Sequence, residues 1–134
     1  MKQPPTVFVV DDRNSVLDSL KIVLNSNGYH VECITSAAEF IAKLNSDQVG
    51  CVVIEPLMNA SGYTVLRWLH KSGSLLSVVL VSGLIDSADY VRQASEPRIT
   101  DKPYAIWALL TMVNDGLAGS LSRKAVRDRG RPRG

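Results

Sequence analysis

Short, wholly apolar runs alternate with stretches of helical periodicity along this chain, and that alternation limits the fold more than any other feature. Thr6 to Val10 (TVFVV) is a continuous β-branched and aromatic run, the pattern of a strand buried on both faces. His30 to Ile34, Cys51 to Ile54 and Leu76 to Val81 read as further strands, with Arg98 to Thr100 as a short fifth. Between them, Val16, Leu17, Leu20, Val23 and Leu24 share one helical face that Gly28 ends. Ser36 with Glu39 forms a capping box ahead of Phe40, Ile41 and Leu44. Val65, Leu66 and Leu69 mark a third helix behind the loop Met58-Asn59-Ala60-Ser61-Gly62, and Asp86 to Ala94 a weaker fourth. Ala105 to Leu117 is the last, with Ile106, Leu109, Leu110 and Val113 inward. Strands that follow one another through helical crossovers must run parallel, so the expectation is an α/β fold with helices on both faces of the sheet.

At 134 residues the chain is long enough for a single core without disulfides or metal staples. Its apolar (46%) and charged (21%) fractions are those of an ordinary globular protein and exclude neither an enzyme nor a binding module. The apolar run Thr6–Val10 behind Met1-Lys2-Gln3-Pro4-Pro5 is too short for a signal-peptide core or a membrane span, so a cytoplasmic protein is expected, without membrane insertion. Cys33 and Cys51 sit in apolar runs far apart, with no CxxC pair, and read as reduced core thiols.

The net charge of +2 is unevenly spread. Arg123, Lys124, Arg127, Arg129, Arg131 and Arg133 face only Asp128 in residues 119–134, a local balance of +5 that leaves −3 for residues 1–118. Residues 119–134 are therefore expected to be a basic, disordered arm behind a folded domain of residues 1–118. A solvated tail is its plain reading. Salt-dependent, non-specific nucleic-acid contact is the sharper one, and no helix-turn-helix follows residue 118 to read a sequence.

In open parallel sheets, ligands sit beyond the C-terminal strand ends. Asp11 and Asp12 follow the first strand, Glu55 the third, Ser82 and Gly83 the fourth, and Asp101, Lys102 and Pro103 the fifth. Clustered carboxylates repel unless a cation or the lysine offsets them, and oxygen ligands suit Mg²⁺. A hydroxyl and an ammonium opposite the metal would cradle a phosphoryl-like anion. Alone, an Asp-Asp pair is more often a helix cap than a metal site, and either Asp12 or Asn14 could cap the first helix. His30 and His70 lack partner acids or cysteines at ligand spacing, and no Gly-rich phosphate loop or G-x-S-x-G elbow is present. Trp68 lies in a helix and reads as a packing residue.

VFVVDD, a lone acid closing the third strand, VLVSG and then DKPY resemble, at these spacings, the receiver domain of bacterial two-component response regulators over roughly residues 6–118. The resemblance implies a doubly wound, flavodoxin-like, five-stranded parallel sheet in the order 2-1-3-4-5. It also implies Mg²⁺ held by Asp11, Asp12 and Glu55 with the Leu57 backbone carbonyl, Ser82 as the switch hydroxyl, Lys102 as the pocket lysine, and Pro103 as a cis proline. Implied partners are a sensor kinase or downstream signalling protein. A homodimer through the helix 4/strand 5/helix 5 face or the helix 1/helix 5 face is implied as well. Tyr104 and Trp107, at the start of the last helix, are candidates for the contact surface.

The chain departs from that family at telling places. Glu55 stands where the family has its phosphoacceptor aspartate, Met58 to Gly62 lacks the usual proline and is one residue shorter, and Ile99 falls where the switch aromatic belongs. One extra methylene displaces a carboxylate by ~1.5 Å, and misplacement by about 1 Å can cost about a hundredfold in rate. The expectation is an atypical, stand-alone receiver with no catalytic residue, acting by protein–protein interaction. Glu55 then either mimics the phosphorylated state or pairs with Lys102 to hold one state. Two alternatives stand beside it: a conventional Mg²⁺-dependent phosphoacceptor using Asp11 or Asp12, and a nucleic-acid accessory protein acting through residues 119–134.

Overall fold

The computed structural model describes residues 5–45, 47–54, 60–82, 98–101 and 106–130. Five strands, β1 (Thr6–Val10), β2 (His30–Ile34), β3 (Gly50–Ile54), β4 (Ser77–Ser82) and β5 (Arg98–Asp101), pair in parallel in the order β2-β1-β3-β4-β5. Four helices are described: α1 (Asn14–Ser26), α2 (Ala37–Lys43), α3 (Ala60–Ser72) and α4 (Ile106–Arg129). The stretch 86–94, expected as a helix, lies outside the described residues.

Every residue of β1 and β3 is buried, which explains why their sequences are continuously apolar rather than alternating. Strand parity then sorts their side chains between two cores. Val7, Val9, Cys51 and Val53 meet Leu17, Leu20 and Leu24 of α1 and Leu109, Met112 and Val113 of α4 on one face. Phe8, Val10, Val52 and Ile54 meet Phe40 of α2 and Val65 and Leu69 of α3 on the other. Phe40 stacks edge-on between Phe8 (centroids 5.5 Å) and Trp68 (6.3 Å), so Trp68 is a packing residue as expected. β2, at the sheet's border, is only partly buried, and His30 there is exposed, as is His70 on α3.

Local signals act where the sequence places them. Ser36 Oγ accepts from the Glu39 backbone N–H at 3.1 Å, capping α2. Gly28, at φ 88°, takes the left-handed position that stops α1. α1 differs in its start: Arg13 is the N-cap residue and its side chain makes no capping bond. α3 begins at Ala60, inside the stretch read as a loop, because the first helical turn has no intrahelical N–H bonds to lose and so tolerates Ser61 and Gly62.

The end of the chain corrects the sequence reading most. Residues 119–129 are not an extended arm; α4 continues through them as one helix of 24 residues, about 36 Å long at 1.5 Å per residue. Ser120, fully buried, accepts from the Gly50 N–H (2.9 Å) and donates to the Leu75 carbonyl (2.6 Å). Arg123 donates to the same carbonyl (3.1 Å) and to Ser77 Oγ, Ser77 donates to the Gly116 carbonyl (2.6 Å), and Arg127 donates to the Gly73 carbonyl (2.7 Å). Lys124 pairs with Asp128 one turn on, at 2.8 Å. The extension thus closes over the N-terminal edge of the sheet, at the start of β3 and β4. Gly50 is required there, because a Cβ would collide with the Thr6 carbonyl oxygen on β1.

Both cysteines are free, and burial pushes the Cys51 thiol from an ordinary 9.0 up to about 12. Cys33, whose Sγ lies 3.7 Å from the Leu17 carbonyl, is shifted in the same direction, chiefly by burial. At pH 8 iodoacetamide is expected to modify the half-buried Cys33 first, and Cys51 only as the chain unfolds; peptide mass mapping over time checks the order. Cys51 is raised in the folded chain, so its stabilising contribution is complete below pH 9 and lost as pH climbs from 9.0 toward 12. Equal alkylation rates would place Cys51 outside the core.

Candidate functional site at the C-terminal edge of the sheet

The register of the strands decides which residues share the opposite, C-terminal edge. Val10 of β1 pairs with Ile54 of β3, Ile54 with Leu80 of β4, and Ser82 with Asp101 of β5. β1 and β3 therefore end level with Leu80, and β4 and β5 run two residues further, to Ser82 and Asp101, so Asp11 and Asp12 leave β1 alongside the last residues of β4 on the same edge. At the usual spacing of about 4.8 Å between neighbouring strands, β1 and β4 stand about 10 Å apart with β3 midway. Glu55 is the next residue in the chain after Ile54. Glu55 and Leu57, like Lys102, Pro103 and Tyr104, lie outside the described residues; Trp107 is the second residue of α4.

Asp11 is held from two sides. Its N–H donates to the Ile34 carbonyl at the end of β2 (3.1 Å), which fixes the backbone as it leaves the sheet. Its side chain, 4% exposed, accepts three bonds from Arg13. Oδ1 takes the Arg13 backbone N–H at 2.8 Å and Nε–H at 3.2 Å, and Oδ2 takes an Nη2–H at 3.2 Å. A carboxylate removed from water needs such partners, and a planar guanidinium supplies two parallel bonds to one carboxylate. Asp12, the next residue, is exposed. The sequence reading gave Arg13 no role; an Arg two residues after an acid at a strand end was the available signal.

A family model agrees with this architecture: the response regulator receiver domain matches residues 7–114. The chain belongs to the response regulator receiver family. The transcriptional regulatory protein TdiR of Thauera aromatica is 39% identical over 117 residues, 84% of this chain and 51% of TdiR. FixJ of Azorhizobium caulinodans, another transcriptional regulatory protein, is 31% identical over 132 residues, 96% of this chain and 62% of FixJ. This receiver thus covers less than two thirds of either relative. Among solved structures, the response regulator StyR superposes with a TM-score of 0.83 at 28% identity, over 95% of this chain and 66% of that one. A CheY-like receiver from Methanospirillum hungatei, at 22% identity and a TM-score of 0.73, shares the fold.

Receivers are signalling modules of two-component systems, working with sensor kinases and downstream effectors and typically holding Mg²⁺ at the phosphorylation site. As placed, Asp11 gives three of the roughly four acceptor positions of its carboxylate to Arg13, so a bound Mg²⁺ would have to share that carboxylate with a second cation. Among the described residues no three His, Cys, Asp or Glu side chains are grouped to hold a metal. No helix of the described residues is long and apolar enough to cross a membrane.

Proposed function

We propose that this receiver signals by docking to other proteins of a two-component circuit without carrying a phosphoryl group on residue 55. The observation behind this reading is the register of the central strand: Ile54 is level with Val10 and Leu80, and the residue that follows it is a glutamate. A carboxylate one methylene longer than aspartate is displaced by ~1.5 Å from where an attacking oxygen belongs. In the receiver resemblance, Ser82 and Lys102 are the residues that would contact a transferred phosphoryl group, and a longer acid at residue 55 would compete with that group for them. Partner contact is assigned to the face near Tyr104 and Trp107, with a sensor kinase, a downstream protein or a second copy as the occupant. Nucleic-acid contact through the basic end is disfavoured, because Arg123 and Arg127 donate to backbone carbonyls and Lys124 is paired with Asp128.

Incubation with acetyl phosphate or phosphoramidate and Mg²⁺, followed by intact-mass analysis, tests the proposal. The expected spectrum shows unmodified protein. Stoichiometric, Mg²⁺-dependent addition of one phosphoryl group that peptide mapping places on Glu55 overturns it, whereas mapping to Asp11 or Asp12 assigns the acceptor to the acidic pair.

A further inference from the structure

We infer that Arg13 is the built-in counter-cation of the acidic pocket, and that a divalent cation reaches Asp11 only by displacing it. Asp11 is almost fully buried, so its charge requires compensation within the protein. The structure provides that compensation two residues away, through three bonds to one residue that engage both carboxylate oxygens. The backbone bond from the Arg13 N–H closes a tight turn that brings the arginine back over Asp11, and α1 starts at the next residue. The side chain is thereby positioned by the same turn that begins the helix, which lowers the entropy it loses in pairing.

A divalent ion bound to the same carboxylate would stand within a few Å of the guanidinium, and like charges at that distance oppose one another. Arg13 is 40% exposed along its side chain, so a cation arriving from solvent meets the guanidinium at the pocket's open side. The pocket is then neutralised by arginine at low divalent concentration and by metal only at high concentration. Its metal occupancy becomes a competition set by one side chain.

The inference rests on the receiver assignment and not on the reading of Glu55. Metal affinity measures it, whereas phosphoryl addition measures the other. Mn²⁺ alone serves as the probe, titrated calorimetrically into the full chain. Arg13→Gln is expected to bind Mn²⁺ at least about tenfold more tightly than the wild type, a difference of about 1.4 kcal/mol. Arg13→Lys, which keeps the charge and loses the planar fork, is expected to fall between them. Asp11→Asn in the Arg13→Gln background is expected to abolish the gain. Thermal unfolding gives a second reading, since Mn²⁺ should raise the midpoint of Arg13→Gln and leave that of the wild type nearly unchanged at the same concentration. Equal affinities for the wild type and Arg13→Gln, or no measurable binding by either, overturn the inference.

Discussion

Truncation after Ala118 is expected to cost this receiver about 3–5 kcal/mol of stability, because each buried polar group stripped of its partner costs about 1–3 kcal/mol. The deleted residues include Ser120, whose hydroxyl is fully buried and ties the Gly50 N–H to the Leu75 carbonyl. Arg123 and Arg127, which hold Leu75, Ser77 and Gly73, are deleted too. Domains are typically stable by only about 5–15 kcal/mol, so the loss is a large share of the total. At about 2–8 °C per kcal/mol the unfolding midpoint should fall by at least about 6 °C. Ser120→Ala, which removes one oxygen, isolates the buried contribution and should account for about 2–3 kcal/mol of it. Arg123→Ala, at an exposed position, should cost less than about 1 kcal/mol. Thermal denaturation of the three variants checks the order. An unchanged midpoint in the truncated chain would mean that residues 119–134 are the loose arm their composition suggests.

That contrast shows where the sequence could be read and where it could not. β1 and β3 were legible because burial on both faces leaves no room for polar residues, and TVFVV and CVVI contain none beyond the terminal threonine. α1 and α2 were legible through local chemistry: Gly28 at a positive φ, and Ser36 bonding to Glu39. The continuation of α4 was not, because Gly119-Ser120 and the arginines beyond are unremarkable as an isolated peptide. Their stability as helix comes from Gly50, Leu75 and Ser77, which lie 45 to 70 residues away in the chain.

The rim divides along the same line. Parallel strands all end on one edge, so Asp11, Asp12, Ser82 and Asp101 could be placed there before any coordinates. The fork from Arg13 to Asp11 depends on a turn geometry that residue types alone do not specify. The resemblance supplied the metal. The structure adds Arg13, bonded to the same carboxylate.

The second large effect concerns residue 55 itself. Shortening the side chain with Glu55→Asp should return the carboxylate by ~1.5 Å to the reach at which in-line attack is efficient. About 1 Å of misplacement is worth about a hundredfold in rate, so the gain should reach at least that size. The change adds no charge and lies one residue beyond the paired strand, and the unfolding midpoint of the variant, expected to be unchanged, checks that folding is not the source of the gain.

The rate of phosphoryl addition from acetyl phosphate, followed by intact mass in excess Mg²⁺ for the wild type and Glu55→Asp side by side, tests the central claim most directly. The account expects a wild type that stays unmodified and a variant that gains one phosphoryl group at least about 100-fold faster. Equal rates in the two proteins would contradict it.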